Sequence, residues 1–319
     1  MADCWSAIPG RVGLSAEAGG QFCGVTEWSA PRVLTSMSSV PEQTQPGSGE
    51  TAALVRGLDT SVAHPARVYD YLLGGKDNFA ADREAAERLL SVVPFMRKQS
   101  RANRLFLGTA VHYLVRAGVR QFLDIGTGLP AANNTHEVAQ RDAPDARIVY
   151  VDNDPMVLLH AQTLLTSTPE GRCDYLDADL RDPDKILSGA ARTLDFSQPV
   201  AVMILAVLNF IADDDHPYAI TRKLMDAVPS GSYLAISHVA SDIQSDTVAT
   251  AARAYNASSA TMVTARPRAA VARFFDGLEL VPPGVVPLGQ WTPGDVAGHL
   301  ASPSLEKALT VWVGLARKP

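Results

Sequence analysis

The sequence predicts an α/β fold: a doubly wound, mostly parallel sheet of seven strands with helices on both faces. Between residues 120 and 240, short apolar runs alternate with helix-compatible segments, which is the pattern of βαβ units joined by right-handed crossovers. Residues 200–208 are apolar without interruption, as expected of a central parallel strand buried on both faces. Two late apolar runs without a substantial helix between them predict an antiparallel C-terminal strand at the sheet edge.

The composition argues against several classes of protein. Of the 319 residues, 46% are hydrophobic and 19% are charged, which is ordinary for a globular chain. The formal net charge of −6 does not indicate nucleic-acid binding. The longest apolar run is far shorter than the roughly 20 residues of a membrane-spanning helix, and no signal peptide opens the chain. The three cysteines have no metal-ligand spacing and suggest no disulfide framework. We therefore expect a cytoplasmic protein without a metal site.

Residues 1–60 lack sustained periodicity and are rich in Gly, Ser, Pro and Thr. Such a segment buries too little apolar surface to offset the entropy lost on ordering it. We expect a disordered or loosely packed extension. Whether translation starts at Met1 or at Met37 is left open.

Residues 61–118 predict an N-terminal helical cap, with helices over 66–73, 82–90 and 100–116. Gly74 and Gly75 follow the first of these helices and can end it. The cap precedes the sheet domain, which we place at residues 119–319.

The sheet domain contains the remaining predicted elements. Strands are predicted in the run ending at Asp124 and at residues 147–152, 173–177, 199–208, 231–237, 278–281 and 307–316. Helices are predicted at residues 133–141, 156–165, 184–191, 218–227, 247–264 and 268–275. Residues 282–303 are rich in Pro and Gly and predict a long surface loop.

The stretch at residues 122–130 organises the candidate site. It reads Phe-Leu-Asp-Ile-Gly-Thr-Gly-Leu-Pro, an apolar strand that ends in an acid and breaks into a glycine turn. Glycine lets the backbone turn sharply and approach a ligand closely. The next strand ends in Asp152, where an acid can bind the ribose hydroxyls of a nucleoside cofactor. The two strands together predict a nucleoside-cofactor site.

The turn is Gly126-x-Gly128 followed by Pro130, without the third glycine of a dinucleotide-binding turn, and this absence disfavours an NAD-type cofactor. The first turn instead resembles the first motif of class I, Rossmann-like S-adenosylmethionine (SAM) methyltransferases. Residues 151–155 (Val-Asp-Asn-Asp-Pro) and 177–181 (Asp-Ala-Asp-Leu-Arg) are similar to the second and third motifs.

Residues 66–79, 103–104, 134–140 and 231–238 extend the likeness. From about residue 60 to the end, the chain resembles an actinobacterial family of SAM-dependent methyltransferases formerly catalogued as a domain of unknown function, DUF574. The resemblance implies a class I methyltransferase fold and SAM as cofactor, without identifying the acceptor. The chain departs from the family at Asn209, where His is common, and at Ala131, where Thr is common.

The resemblance implies a set of cofactor-binding residues: Asp124, Gly126, Thr127, Gly128, Asp152, Asn153, Asp179 and Leu180. Asp124 is expected to interact with the methionine amino group, and the amides of the glycine turn with the carboxylate. Asp179 and the next amide are expected to bind adenine, with Asp177 as the competing acid.

Tyr69, Lys76 and Asn78 lie in the helical cap beside the two glycines. Their compact, polar and glycine-rich surroundings favour a lid that closes over SAM and excludes water. Core packing is the alternative explanation for Tyr69.

A catalytic residue is not identified, because the SAM sulfonium is already an activated methyl donor and a base is needed only for some acceptors. His238 ends the fifth strand and is a candidate base; the alternative is a hydrogen-bonded core histidine. Asn209 is a candidate for a substrate-facing group. Arg266 is grouped with other arginines on a predicted solvated helix face.

The hypothesis is a SAM-dependent methyltransferase acting on a small molecule, with no nucleic-acid or membrane partner. Two alternatives are a non-catalytic SAM-binding regulator and an NAD-type oxidoreductase. The oligomeric state is left open.

Overall fold

The structure is a computed structural model that describes residues 58–164, 167–257, 259, 261–292 and 309–319. The predicted extension up to residue 57 and the alternative start at Met37 lie outside the described residues. So do residues 293–303 of the predicted loop and the first two residues of the predicted last strand.

The described helices are α1 (Pro65–Leu73), α2 (Ala80–Val92), α3 (Met96–Arg116), α4 (Thr135–Asp142), α5 (Pro155–Leu164), α6 (Pro183–Ala190), α7 (Pro217–Asp226), α8 (Ser245–Asn256) and α9 (Arg268–Ala272). The described strands are β1 (Gln121–Ile125), β2 (Arg147–Asp152), β3 (Arg172–Asp177), β4 (Ala201–Leu205), β5 (Tyr233–Val239), β6 (Glu279–Leu280), β7 (Val286–Pro287) and β8 (Val311–Arg317). None of the helices that the structure describes is both long and apolar enough to cross a membrane.

The strands form one mixed sheet in the order β3-β2-β1-β4-β5-β8-β6, with β7 also paired to β8. Strands β1 to β5 are parallel, and β8 runs antiparallel to β5. The predicted α/β class and mostly parallel sheet are confirmed. Among the described residues the sheet has eight strands where seven were predicted, and its edge is antiparallel as expected. Strand β6 matches the predicted strand at 278–281, and β6 and β7 both pair with β8. Strand β7 is the additional one; it has two residues, too few to produce a periodic pattern in the sequence.

Side chains alternate between two cores, one on each face of the sheet. Phe122 packs with α3 and α4, whereas its neighbour Leu123 packs with α6 and α7. Ile148 and Val149 divide between the same two cores. This alternation follows from the two-residue period of a strand and explains why the central strands are apolar throughout.

Helices α1 and α2 form a third cluster with α8, in which Val68, Leu72 and Tyr255 are buried. Helix α1 begins at Pro65. Gly74 directly follows its last residue and has a φ of 93°, the left-handed conformation that terminates many helices. Helix α3 belongs to the predicted cap but packs into the core of the sheet. The division between a cap at 61–118 and a domain at 119–319 stays a prediction.

Helix α8 is shorter than the predicted helix at 247–264. It ends at Asn256, whose side chain accepts a hydrogen bond from the Val263 N–H at 2.7 Å and donates one to the Val263 carbonyl at 3.3 Å. These bonds turn the chain back, as Asn side chains commonly do by competing with helical hydrogen bonds.

Candidate functional site

A cavity of about 290 Å³ lies at the carboxyl ends of β1, β2 and β4. The strand order reverses between β1 and β4, which is where open α/β sheets bind ligands. We call the part lined by the strand ends the strand side. The part lined by α1, α2, α3 and α8 is called the helical side.

The glycine turn is shaped by two left-handed residues, Gly126 (φ 71°) and Gly128 (φ 68°). A Cβ on Gly126 would collide with the side chain of Val207, in the segment after β4. At Gly128 a Cβ would meet no atom within 4 Å. Gly126 therefore permits close packing, whereas Gly128 borders open space in the cavity.

The amides of this turn donate hydrogen bonds to acceptors within the protein. Gly126 N and Thr127 N donate to the Val151 carbonyl at 2.7 and 3.2 Å. Gly128 N donates to Asp152 Oδ2 at 2.8 Å. These hydrogen bonds hold the turn against β2, and the expectation that the amides bind a carboxylate of the cofactor stays a prediction.

Asp124 is buried on the strand side and accepts a hydrogen bond from the Thr135 hydroxyl at 2.6 Å. Burial raises the pKa of Asp124 to about 6, although Thr135 and the nearby Arg104 oppose this shift. A cationic ligand group at this carboxylate would relieve the cost of burying its charge.

Arg104, on α3, also lines the cavity. Its Nη2 donates to the carbonyls of Ala132 and Asn133 at 3.2 and 2.9 Å, while its buried Nε has no hydrogen-bond partner among the described residues. Sequence reasoning assigned Arg104 no role. The available signal was its position on α3, four residues after Ser100, a spacing that places both on one helix face.

Asp152 is buried, and burial raises its pKa despite hydrogen bonds from Asp154 N and Gly128 N. It lines the cavity beside Asn153, which is exposed and donates from Nδ2 to Asp179 Oδ2 at 2.9 Å. The hydrogen bond between Asn153 and Asp179 thus connects the segments at the ends of β2 and β3.

Between the two acids that follow β3, only Asp179 lines the cavity; Asp177 is exposed and does not. Asp179 accepts from the backbone and the Nη1 of Arg181, both at 2.9 Å. Leu180 is buried and lines the cavity next to it.

Of the three predicted lid residues, only Tyr69 reaches the cavity. Its hydroxyl donates to the Ser100 carbonyl at 3.0 Å and accepts from Asn103 Nδ2 at 3.2 Å.

Lys76 is exposed, and neither it nor Asn78 lines the cavity. Asn78 Nδ2 donates to Asp70 Oδ2 at 2.8 Å and to the Gly75 carbonyl at 3.1 Å. A Cβ on Gly75 would collide with the Asp70 carboxylate. The glycine-rich segment is therefore folded around Asp70, which explains its composition without contact to a ligand.

Both ring nitrogens of His238 have protein partners. Nδ1 lies 2.9 Å from the Val239 carbonyl, which can only accept, and Nε2 lies 2.9 Å from Arg266 Nη1, which can only donate. The ring is therefore a neutral Nδ1–H tautomer, and burial lowers its pKa to about 4. The geometry favours the hydrogen-bonded core histidine over the base.

Arg266 is buried, which corrects its predicted place on a solvated face. Its Nη1 donates to the Leu208 carbonyl at 2.9 Å, and its Nη2 donates to the Ile211 carbonyl at 2.8 Å. This arginine holds the segment after β4 that contains Asn209, which is buried and lines the cavity. Within the described residues, no group of three His, Cys, Asp or Glu side chains could hold a metal ion.

A reversed strand order, a glycine turn after β1 and acids after β2 and β3 define a nucleoside-cofactor-binding α/β protein of the methyltransferase class. The model of the S-adenosyl methyltransferase family matches residues 51–319. The chain belongs to this family, its cofactor is SAM, and the predicted resemblance is confirmed. The match disfavours the NAD-type oxidoreductase.

Two solved structures are similar over most of their length. A DUF574 family protein from Streptomyces avermitilis MA-4680 is 44% identical, with a TM-score of 0.78. The match covers 82% of this chain and 99% of the Streptomyces chain. A predicted methyltransferase from Thermobifida fusca YX is 38% identical, with a TM-score of 0.74. The match covers 82% of this chain and 97% of the Thermobifida chain. No curated protein matches the chain significantly.

The residues present fit SAM. A buried carboxyl at Asp124 and an unpartnered guanidinium nitrogen at Arg104 line one cavity, and they complement the ammonium and carboxylate of an amino acid.

Proposed function

We propose that the protein transfers a methyl group from SAM to a small molecule that enters the helical side of the cavity. The observation that carries the proposal is the continuity of this cavity. It joins the acids at the ends of β1, β2 and β3 to a pocket enclosed by helices, so both reactants can share one space. That the reaction takes place in the cytoplasm stays a prediction from the sequence.

Each part of SAM has a suitable group, either on the strand side or at Arg104 of α3. Asp124 would hold the ammonium, Arg104 the carboxylate and Asp152 the ribose hydroxyls. The Leu180 N–H would hold adenine, with Asp179 beside it. The bound cofactor supplies a sulfonium methyl group that needs no further activation.

The chain itself contributes orientation and shielding from water. Holding two reactants in line converts a bimolecular step into an effectively unimolecular one. Tyr69 closes the cavity from α1, where its hydroxyl is fixed by Ser100 and Asn103. No role as a base is assigned to His238, because its Nε2 lone pair accepts from Arg266.

Titration calorimetry with SAM, S-adenosylhomocysteine (SAH) and NAD tests the cofactor, and transfer of radiolabelled methyl from SAM to a small-molecule panel tests the reaction. We expect SAM and SAH to bind, NAD not to bind, and at least one acceptor to be labelled. SAM binding without transfer across a broad panel would favour the non-catalytic regulator.

A further inference from the structure

In the described part of the chain, the charged side chains that line the cavity come from α3 and from the segments at and after the strand ends, and not from α1, α2 or α8. Among the described lining residues, the Asp, Glu, Lys and Arg side chains are Asp124, Asp152, Asp179, Arg104 and Arg181. Four of these belong to the proposed cofactor set, and Arg181 is paired with Asp179 at 2.9 Å. Helices α1, α2 and α8 contribute no such side chain to the described lining.

The walls of the helical side are mostly apolar. They include Leu72 of α1, Leu89 of α2, Leu107 of α3 and Val248 of α8, together with Phe210 after β4. A charged molecule placed here would lose its hydration without gaining a counter-charge, which is strongly unfavourable. An acceptor that enters this space should therefore be uncharged.

Asn103 supplies the first specific polar group. It is 8% exposed, and its Oδ1 is buried without a hydrogen-bond partner in the part of the chain that the structure describes. The orientation of its amide is set by Tyr69: the tyrosine hydroxyl donates to the Ser100 carbonyl, so it must accept from Asn103 Nδ2. The unpaired atom is therefore an acceptor that requires an N–H or O–H donor.

Asn209 supplies the second specific polar group of the helical side. It follows β4, is 3% exposed and lines the same cavity, and its Oδ1 is also buried without a hydrogen-bond partner among the described residues. Buried polar atoms are nearly always paired, so two unpaired amide oxygens in one cavity indicate a ligand that pairs with them.

We infer that the methyl acceptor is an uncharged, largely apolar molecule that donates hydrogen bonds to Asn103 and Asn209. This inference rests on the function proposed above. The apolar walls would bind its body, and the two amide oxygens would select its N–H or O–H groups, because a donor-free analogue leaves them unpaired.

Four probes with the same ring system test the inference on the full-length protein saturated with SAH. They are 2-naphthol (neutral donor), 2-methoxynaphthalene (neutral, no donor), 2-naphthoate (anion) and 2-naphthylmethylamine (cation). Calorimetry should show 2-naphthol binding about tenfold or more tighter than each of the others, the effect of one hydrogen bond of roughly 1.4 kcal/mol. Equal or tighter binding of a charged or donor-free probe, or no binding of 2-naphthol, would overturn the inference.

The variants Asn103→Leu and Asn209→Leu should remove the preference for 2-naphthol over its methyl ether while leaving SAH affinity unchanged. Lys98→Leu, on an exposed position of α3, is the control and should keep the preference. If both asparagine variants lose SAH affinity instead, the two oxygens serve the cofactor and the inference is wrong. Failure of the unmodified protein to bind SAH would contradict the proposed function itself. The comparison of probes on the unmodified protein stands even if a variant fails to fold.

Discussion

The Nδ1 atom of His64 lies 2.9 Å from Asp154 Oδ2, and this contact joins the start of α1 to the segment that follows β2. Arg67 Nε lies 3.2 Å from the same oxygen. Burial acts to raise the pKa of Asp154, but the close contact with His64, the Met156 N–H and Arg67 outweigh burial and lower the pKa. An ionised Asp154 thus links the helical cap to the residues beside Asp152.

Replacement of Asp154 by Asn should destabilise the protein by on the order of 3 kcal/mol, because it removes the closest charged partner of the buried Arg67. It should also weaken SAM binding, since the cap and the loop after β2 lose their connection. Chemical denaturation and calorimetry measure the two effects. Glu84→Gln is the control: Glu84 forms an exposed pair with Arg88, and its loss should cost less than about 1 kcal/mol. Equal effects of the two substitutions would contradict the proposed link.

SAM affinity should rise with pH through about 6. In the free protein, burial raises the pKa of Asp124 to about 6, so below this pH the carboxyl is largely protonated and cannot pair with an ammonium group. Above it the carboxylate is available, and affinity should level off near pH 7. Calorimetry between pH 5 and 8 measures this. In Asp124→Asn, binding should be weaker and this rise should be absent; a rise of equal size in the variant would refute the role of Asp124.

Replacement of Arg104 by Gln should weaken SAM and SAH binding by roughly 10- to 100-fold, the range expected for a charge-assisted hydrogen bond of about 1.5–3 kcal/mol. Methylthioadenosine lacks the amino-acid part of SAM, so its affinity should not change. Calorimetry with the three ligands measures the difference. A parallel loss for methylthioadenosine would show that Arg104 shapes the cavity without binding the carboxylate.

Replacement of Asp152 by Ala should weaken SAM binding, because it removes the proposed partner of the ribose hydroxyls and the acceptor for Gly128 N. Asp177→Ala is the matched control, since Asp177 is exposed and does not line the cavity. Equilibrium binding of SAM to both variants measures the contrast, and unchanged affinity in Asp152→Ala would count against its ribose role.

His238 should stay neutral in the folded protein from pH 7 down to about 5. Burial lowers its pKa to about 4, whereas the unfolded chain titrates near 6.5, so the unfolded state binds more protons in this interval. The contribution of His238 to stability is therefore present above about pH 6.5 and is lost as the pH falls toward 4. A nitrogen-15 NMR titration of the ring measures the pKa. Protonation near pH 6.5 would contradict the bonding between His238 and Arg266.

The order of strands and helices from β1 to β5 could be predicted because their patterns are local. An apolar run of residues 200–208 or an alternating β8 needs no knowledge of distant residues. The predicted bounds were wrong where a side-chain hydrogen bond replaced a helical one, as when Asn256 bound Val263 and ended α8. Strand β6 lies within the predicted strand at 278–281, whereas the two-residue strand β7 was missed because it exists only by pairing with β8.

The candidate site divides in the same way. By itself, the sequence determined that Asp124, Asp152 and Asp179 end or follow successive strands, and in a parallel sheet those ends meet at one edge. Only the tertiary structure decided which groups face the cavity: it brought Arg104 in and left Lys76 and Asn78 outside. The fold also gives both ring nitrogens of His238 a protein partner, one of them Arg266, which is 28 residues away in the sequence. The physical reason is that strand ends follow from local periodicity, whereas burial and hydrogen-bond partners depend on how separate elements pack.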